Sequence, residues 1–258
     1  MPETCAPGYR TDREGCLLTS HRRQFLQAQS GLGLARANHP EPSNGRVLLL
    51  HGIARSSAST AKLDRCLNAV PFRTLNLDYP SRRMSLQDIA AGVQRQAGSF
   101  LAGDGTPLHI VTHSMGGLVA RIMLARARPS DLGRVVMLGP PNQGSEIADL
   151  LDGTRLYRRA FGPAGAQLTT RDTLQLPPID YPVGVIAGDR FTDPLSWMII
   201  PGPNDGKVSV ARTRLEGMTD HATLHATHTF LPRNDTAIRL TIHFLRFGAF
   251  PAADPAEK

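Results

Sequence analysis

Cysteine, lysine and long apolar runs are scarce in this sequence, and each scarcity removes a class of protein. Three cysteines in 258 residues, Cys5, Cys16 and Cys66, make neither a dense disulfide framework nor a ligand cluster at metal spacing. The longest apolar runs, Val47 to Leu50 and Trp197 to Ile200, are strand-sized, well short of the roughly 18 apolar residues of a membrane span, which argues against an integral membrane segment. Secretory leaders need an apolar stretch of about 7–15 residues. The first 25 residues carry charges throughout and offer none, which points to a cytoplasmic, reducing location. What remains is ordinary: 41% apolar and 20% charged residues, the balance of a globular chain. Its length suits one large α/β domain better than two small ones.

Lysine is almost replaced by arginine, 26 Arg against 3 Lys, and with 22 acidic residues the formal charge is +7. Such an excess raises nucleic-acid binding. The arginines, however, are scattered as pairs and triples such as Arg22/Arg23, Arg82/Arg83 and Arg155/Arg158/Arg159, with almost no aromatic residues interleaved. A solvated surface explains them better, so no nucleic-acid partner is expected, although the charge favours anionic interfaces, lipid surfaces included.

Residues 1–45 are polar, rich in Arg and Gly, and end in the turn formers Pro40-Glu41-Pro42-Ser43-Asn44-Gly45, which read as a boundary after an N-terminal extension. A short helix is expected over Ser20–Gln29. From residue 46 to 250, short apolar runs alternate with longer amphipathic segments, the pattern of βα units around a parallel sheet; residues 251–258 form a tail. Strands are expected at Val47–His51, Phe72–Leu77, Leu108–Thr112, Arg134–Leu138, Val183–Ala187 and Ala222–Ala226. Helices are expected at Thr60–Ala69, Ser85–Ala102, Met115–Arg126, Ser145–Leu151 and Asp235–Phe247. Ser85-Leu86-Gln87-Asp88 starts its helix like a capping box. In the last helix Ile238, Ile242 and Leu245 share the face that packs on the sheet.

The chemistry concentrates in Leu108-His109-Ile110-Val111-Thr112-His113-Ser114-Met115-Gly116-Gly117-Leu118. A buried strand runs straight into a helix with Ser114 at the junction, the setting of a nucleophile elbow, where a strained turn lifts a serine hydroxyl above the sheet. Gly116 lets the helix pass close to the strand, and Gly117 adds clearance. Thr112 stands where Gly-x-Ser-x-Gly would have its first glycine, so strand and helix must separate slightly to house it. Upstream, Val47-Leu48-Leu49-Leu50-His51-Gly52-Ile53 ends a strand beside the elbow. Gly52 allows a turn that aims the Ile53 amide at an oxyanion on a carbonyl bound at Ser114, and the Met115 amide supplies the second donor. His51 is read as a buried histidine bracing this loop.

These residues, with Pro141-Asn142-Gln143-Gly144-Ser145 and Asn204-Asp205-Gly206-Lys207-Val208, resemble the α/β-hydrolase superfamily, particularly its small bacterial lipases and esterases, over about residues 46–250. The resemblance implies an α/β fold, a three-layer α/β/α sandwich with a mostly parallel central sheet. It also implies the chain order Ser, acid, His. Asp189, Asp193 and Asp205 are candidate acids; in this family the acid often precedes a hydrophobic residue by three positions, as Asp205 precedes Val208, so Asp205 is favoured, with Asp189 the alternative. Among His221, His225, His228 and His243, the context His228-Thr229-Phe230-Leu231 looks like the family's histidine loop, and His221 is second. Only about 40 residues separate Pro141 from Tyr181, too few for a large cap. The apolar stretch from Phe191 to Ile200 either lines an acyl pocket or packs as an edge segment; Leu118, Leu195, Trp197 and Met198 are the pocket candidates.

The expected activity is hydrolysis of a small-molecule ester or lipid through Ser114, His228 and Asp205, with no metal or organic cofactor required. An acyltransferase or amidase using the same three residues, or a catalytically silent binding protein, would share the pattern.

Overall fold

Alternation along the strands dictates two cores. The computed structural model describes residues 10–11, 17–18, 45–70, 72–192 and 198–252. Leu48, Leu50, Ile110, Val135, Met137, Val183 and Val185 face one core, and Val47, Leu49, Val111, Val136, Leu138 and Ile186 face the other. Successive strand residues point to opposite faces, so a strand that is apolar throughout demands cover on both sides.

Two short strands, β1 (Arg10–Thr11) and β2 (Leu17–Leu18), pair antiparallel. The main sheet comprises β3 (Gly45–Leu50), β4 (Phe72–Leu77), β5 (Leu108–His113), β6 (Leu132–Leu138), β7 (Val183–Gly188) and β8 (Asp220–Leu224). All six are parallel, in the spatial order β4-β3-β5-β6-β7-β8. From β3 the chain goes first to β4 on one side and later to β5 on the other. The direction of winding therefore reverses between β3 and β5, which opens a crevice at their carboxyl ends where ligands of such sheets bind.

Helices α2 (Leu86–Gln96), α3 (Gly98–Ala102) and α4 (Gly116–Arg126) cover the first core. Between β6 and β7 stand α5 (Glu146–Leu151), α6 (Arg155–Ala166) and α7 (Thr170–Thr173); α8 (Val210–Thr213) lies between β7 and β8. The second core is covered by α1 (Ala61–Ala69) and α9 (Asp235–Phe247). The fold is thus a three-layer α/β/α sandwich around a six-stranded parallel sheet.

Some expected boundaries move. The helix expected over Ser85–Ala102 is interrupted at Ala97 and resumes at Gly98, a poor helix former. The last strand lies two residues earlier than Ala222–Ala226. On α9, Ile238 and Leu245 are buried with Ala237, Thr241 and Phe244, while Ile242 is only half-buried. Ser85 Oγ accepts the Asp88 N–H at 3.1 Å, the expected cap. The helix expected over Ser20–Gln29 lies outside the described residues; Cys66, on α1, is buried in the second core.

Candidate active site

At the carboxyl end of β5 the chain makes its sharpest local departure. Ser114 has φ +55°, and Ala54, in the loop after β3, has φ +54°; no other described residue but glycine has a positive φ. A side-chain-bearing residue in that region carries strain that neighbouring structure must hold in place. The Ser114 N–H donates to Leu138 O at 2.8 Å, extending the β5–β6 ladder into the turn, and α4 starts two residues later. A Cβ on Gly116 would stand 2.7 Å from Leu50 O and 2.8 Å from His51 O, so only glycine lets α4 cross the end of β3. A Cβ on Gly117 would stand 3.2 Å from Pro140 Cβ and 3.3 Å from Met137 Sδ, tight contacts, and 3.4 Å from the buried Thr112 Oγ1, an ordinary one.

Ser114 Oγ lies 2.9 Å from His228 Nε2, and His228 Nδ1 lies 2.7 Å from Asp205 Oδ2. A carboxylate only accepts, so Nδ1 carries the imidazole proton, and Nε2 presents its lone pair to the serine hydroxyl. The other carboxylate oxygen, Oδ1, accepts the N–H groups of Lys207 at 3.0 Å and Val208 at 2.9 Å. Asn204-Asp205-Gly206 is therefore an Asx turn whose second oxygen points inward. The Asp205 side chain is 0% exposed and that of His228 10%. The His228 N–H also donates to Asp205 O at 2.9 Å, which fixes the two loops backbone to backbone.

The other candidates lie elsewhere. Asp189 pairs with His225 at 3.1 Å, and His225 is 77% exposed. His221 Nε2 contacts Thr213 Oγ1, and His243 Nδ1 donates to Ala249 O. Asp193 lies outside the described residues. His51 braces the loop as expected: its ring stacks on Tyr79 at 3.9 Å, its Nδ1 donates to Gly52 O at 2.8 Å, and burial pushes its pKa down. Among the described residues, no acceptor is seen for the Ile53 or the Met115 N–H, the two donors expected from sequence; Ile53 lines the cavity and Met115 directly follows Ser114.

A cavity of about 310 Å³ opens over Ser114 and His228. Ile53, Ile147, Tyr157, Phe161, Leu168 and Val208 give it an apolar wall. Of the pocket residues expected from sequence, Leu118 is 0% exposed inside the first core, and Met198 is 75% exposed and outside the lining. Leu195 and Trp197 lie outside the described residues. Ile147, Tyr157, Phe161 and Leu168 of the wall come instead from the chain between β6 and β7. Gly139 is a second residue the sequence reading passes over. It sits at φ +56°, and a Cβ there would stand 3.1 Å from both Asp205 Oδ2 and His228 Nδ1. Its only signal is a glycine closing a strand just before Pro140-Pro141.

Among the described residues no group of three or more His, Cys, Asp or Glu side chains converges as metal ligands would, and no helix is long and apolar enough to cross a membrane.

A sequence model of the alpha/beta hydrolase family matches residues 47–254. Among solved structures, the mature form of a Bacillus licheniformis lipase is similar at 20% identity and a TM-score of 0.64, over 82% of this chain and 96% of that one. A metagenomic carboxyl esterase is similar at 18% identity and a TM-score of 0.61, over 79% and 69% of the two chains. A thioesterase of the prodiginine biosynthetic pathway in Streptomyces coelicolor gives 15% and 0.50, over 84% and 97%. At these identities the likeness is one of fold. Comparison with curated proteins returns no match.

Proposed function

The chain belongs to the alpha/beta hydrolase family, and from that premise we propose that it is a serine hydrolase of carboxylic esters, an esterase or lipase, working through Ser114, His228 and Asp205 and an acyl-enzyme. The observation that carries the reading is the 2.9 Å contact of His228 Nε2 with the hydroxyl of a serine held at φ +55°. A neutral hydroxyl is a weak nucleophile and needs a base at hydrogen-bond distance. As Ser114 Oγ adds to the ester carbonyl, its proton passes to His228 Nε2, which then returns it to the departing alcohol as the C–O bond breaks. Water repeats the sequence: it gives a proton to His228, its oxygen adds to the acyl carbon, and Ser114 Oγ leaves with the proton. Asp205 holds the productive tautomer and stabilises the transient imidazolium. The carbonyl oxygen, negative in both tetrahedral intermediates, is held by the amides of Ile53 and Met115; losing one such donor typically costs about 3–4 kcal/mol. The apolar wall of the cavity suits a hydrocarbon acyl group.

Hydrolysis of p-nitrophenyl esters across acyl lengths, wild type beside Ser114→Ala, tests this reading. Turnover that disappears in the variant supports it. Turnover that survives, or none on any ester with the wild type, overturns it.

A further inference from the structure

The cavity over Ser114 is chemically lopsided. Among the described residues its buried lining is largely apolar, its permanently charged members are Arg55 and Lys207, and no Asp or Glu lines it. Neither cation is in an ion pair among the described residues. Both side chains are exposed at the mouth, yet both are placed by the site itself. Lys207 is anchored through its backbone, its N–H donating to Asp205 Oδ1 at 3.0 Å and its carbonyl accepting from Ser145 Oγ at 2.9 Å. Arg55 follows the proposed oxyanion loop and reaches across the opening, where Nη2 donates to Thr229 Oγ1 at 3.2 Å, one residue past His228.

Two cations at one cleft with low-dielectric walls focus the field and concentrate anions at the opening. An apolar chain gains by leaving water for the inner wall, whereas a charge is costly there and remains at the wet mouth. The acyl part therefore goes in and the leaving group stays out. Resting on the ester reading above, we infer that the preferred substrate is an ester or thioester with an apolar acyl part and a leaving group that carries a phosphate or carboxylate, met by Arg55 and Lys207. Arginine offers a planar pair of donors and lysine a point charge, a combination suited to either anion.

The test compares meta-butanoyloxybenzoate with its methyl ester, which differ in one charge on the leaving group. At low salt the wild type is expected to favour the charged ester in kcat/KM by about tenfold, and the ratio to shrink at about 0.5 M salt. In Arg55→Gln/Lys207→Gln the ratio is expected to approach one. A wild-type ratio at or below one, or a ratio unchanged in the double variant, overturns the inference while neutral-ester turnover leaves the ester reading standing. Cleavage of neither ester overturns both. Butanoyl-coenzyme A and vesicles of octanoyl lysophosphatidate, assayed in parallel, separate the two sources of a phosphate. A larger loss in the double variant on the first assigns a soluble carrier, and on the second a lipid headgroup; no loss on either counts against the inference.

Discussion

His113 donates from Nε2 to the backbone carbonyl of His228 at 2.9 Å, so the residue preceding the elbow serine grips the main chain of its proposed base. The two rings lie 4.9 Å apart. Burial first, and the neighbouring His228 next, push the His113 pKa well below its ordinary value, which keeps the ring neutral near pH 7. One peptide step and one hydrogen bond thus link Ser114 to His228, beside the contacts His228 makes with Asp205. His113→Leu is expected to lower kcat on p-nitrophenyl butyrate about tenfold, the equivalent of one hydrogen bond, with a smaller loss in His113→Gln. Steady-state kinetics check this; a Leu variant as fast as wild type would remove the role.

Replacing Ser114 separates catalysis from strain. Both Ser114→Ala and Ser114→Gly are expected to lose more than about a thousandfold in kcat/KM. Alanine keeps the penalty of φ +55° and glycine does not. The Gly variant is therefore expected to be the more stable by about 1 kcal/mol, a few degrees in melting temperature for a domain of this size. Calorimetry of the two inactive proteins reads the difference, and identical melting would show the turn to be unstrained.

Phe161 closes the acyl wall beside Tyr157, their ring centroids 4.9 Å apart. Phe161→Ala is expected to move the preferred p-nitrophenyl ester to a longer acyl chain and to raise KM for the short ones. A chain-length profile superimposable on that of wild type would place the acyl group elsewhere.

Acid sensitivity follows from buried histidines. His109 is 1% exposed and accepts the Arg134 N–H at Nδ1; burial, then the Arg134 charge, lower its pKa from 6.5 to about 4. The folded ring stays neutral while the unfolded one takes up a proton, so the contribution to stability is whole above pH 6.5 and is lost as pH falls towards 4. His113 acts in the same direction. Urea midpoints are expected to fall between pH 7 and 5, less steeply in His109→Gln. An equal slope in that variant would assign the sensitivity to other groups.

The elbow is legible from residues alone because its demands are local: an apolar strand, a serine, and glycines where a helix must pass close by. Asp205 and His228 come within reach through family resemblance, since nothing in their own spacing separates them from Asp189 or His221. The pocket wall is not legible in the same way. Helix α4 is apolar almost all round, so its periodicity does not tell the lumen from the core, and Leu118 proves to be buried. The actual wall uses Ile147, Tyr157, Phe161 and Leu168, dispersed through a polar, Gly- and Pro-containing connection. Gly139 matters only through side chains that arrive from 66 and 89 residues further along the chain, 205 − 139 and 228 − 139.

The reversal of winding between β3 and β5 also affects the order in which the molecule comes to life. Ser114 closes the third strand of the main sheet, whereas the partner for its proton arrives 114 residues later, after β6, β7 and β8 have been laid down in turn. Contacts so distant in sequence form late, when the intervening chain has already collapsed. A chain still emerging from the ribosome at α8 holds a complete elbow and an acid loop but no base. Regained ester turnover during refolding is therefore expected to trail the return of helical signal, and activity becomes a report on closure of the last strand.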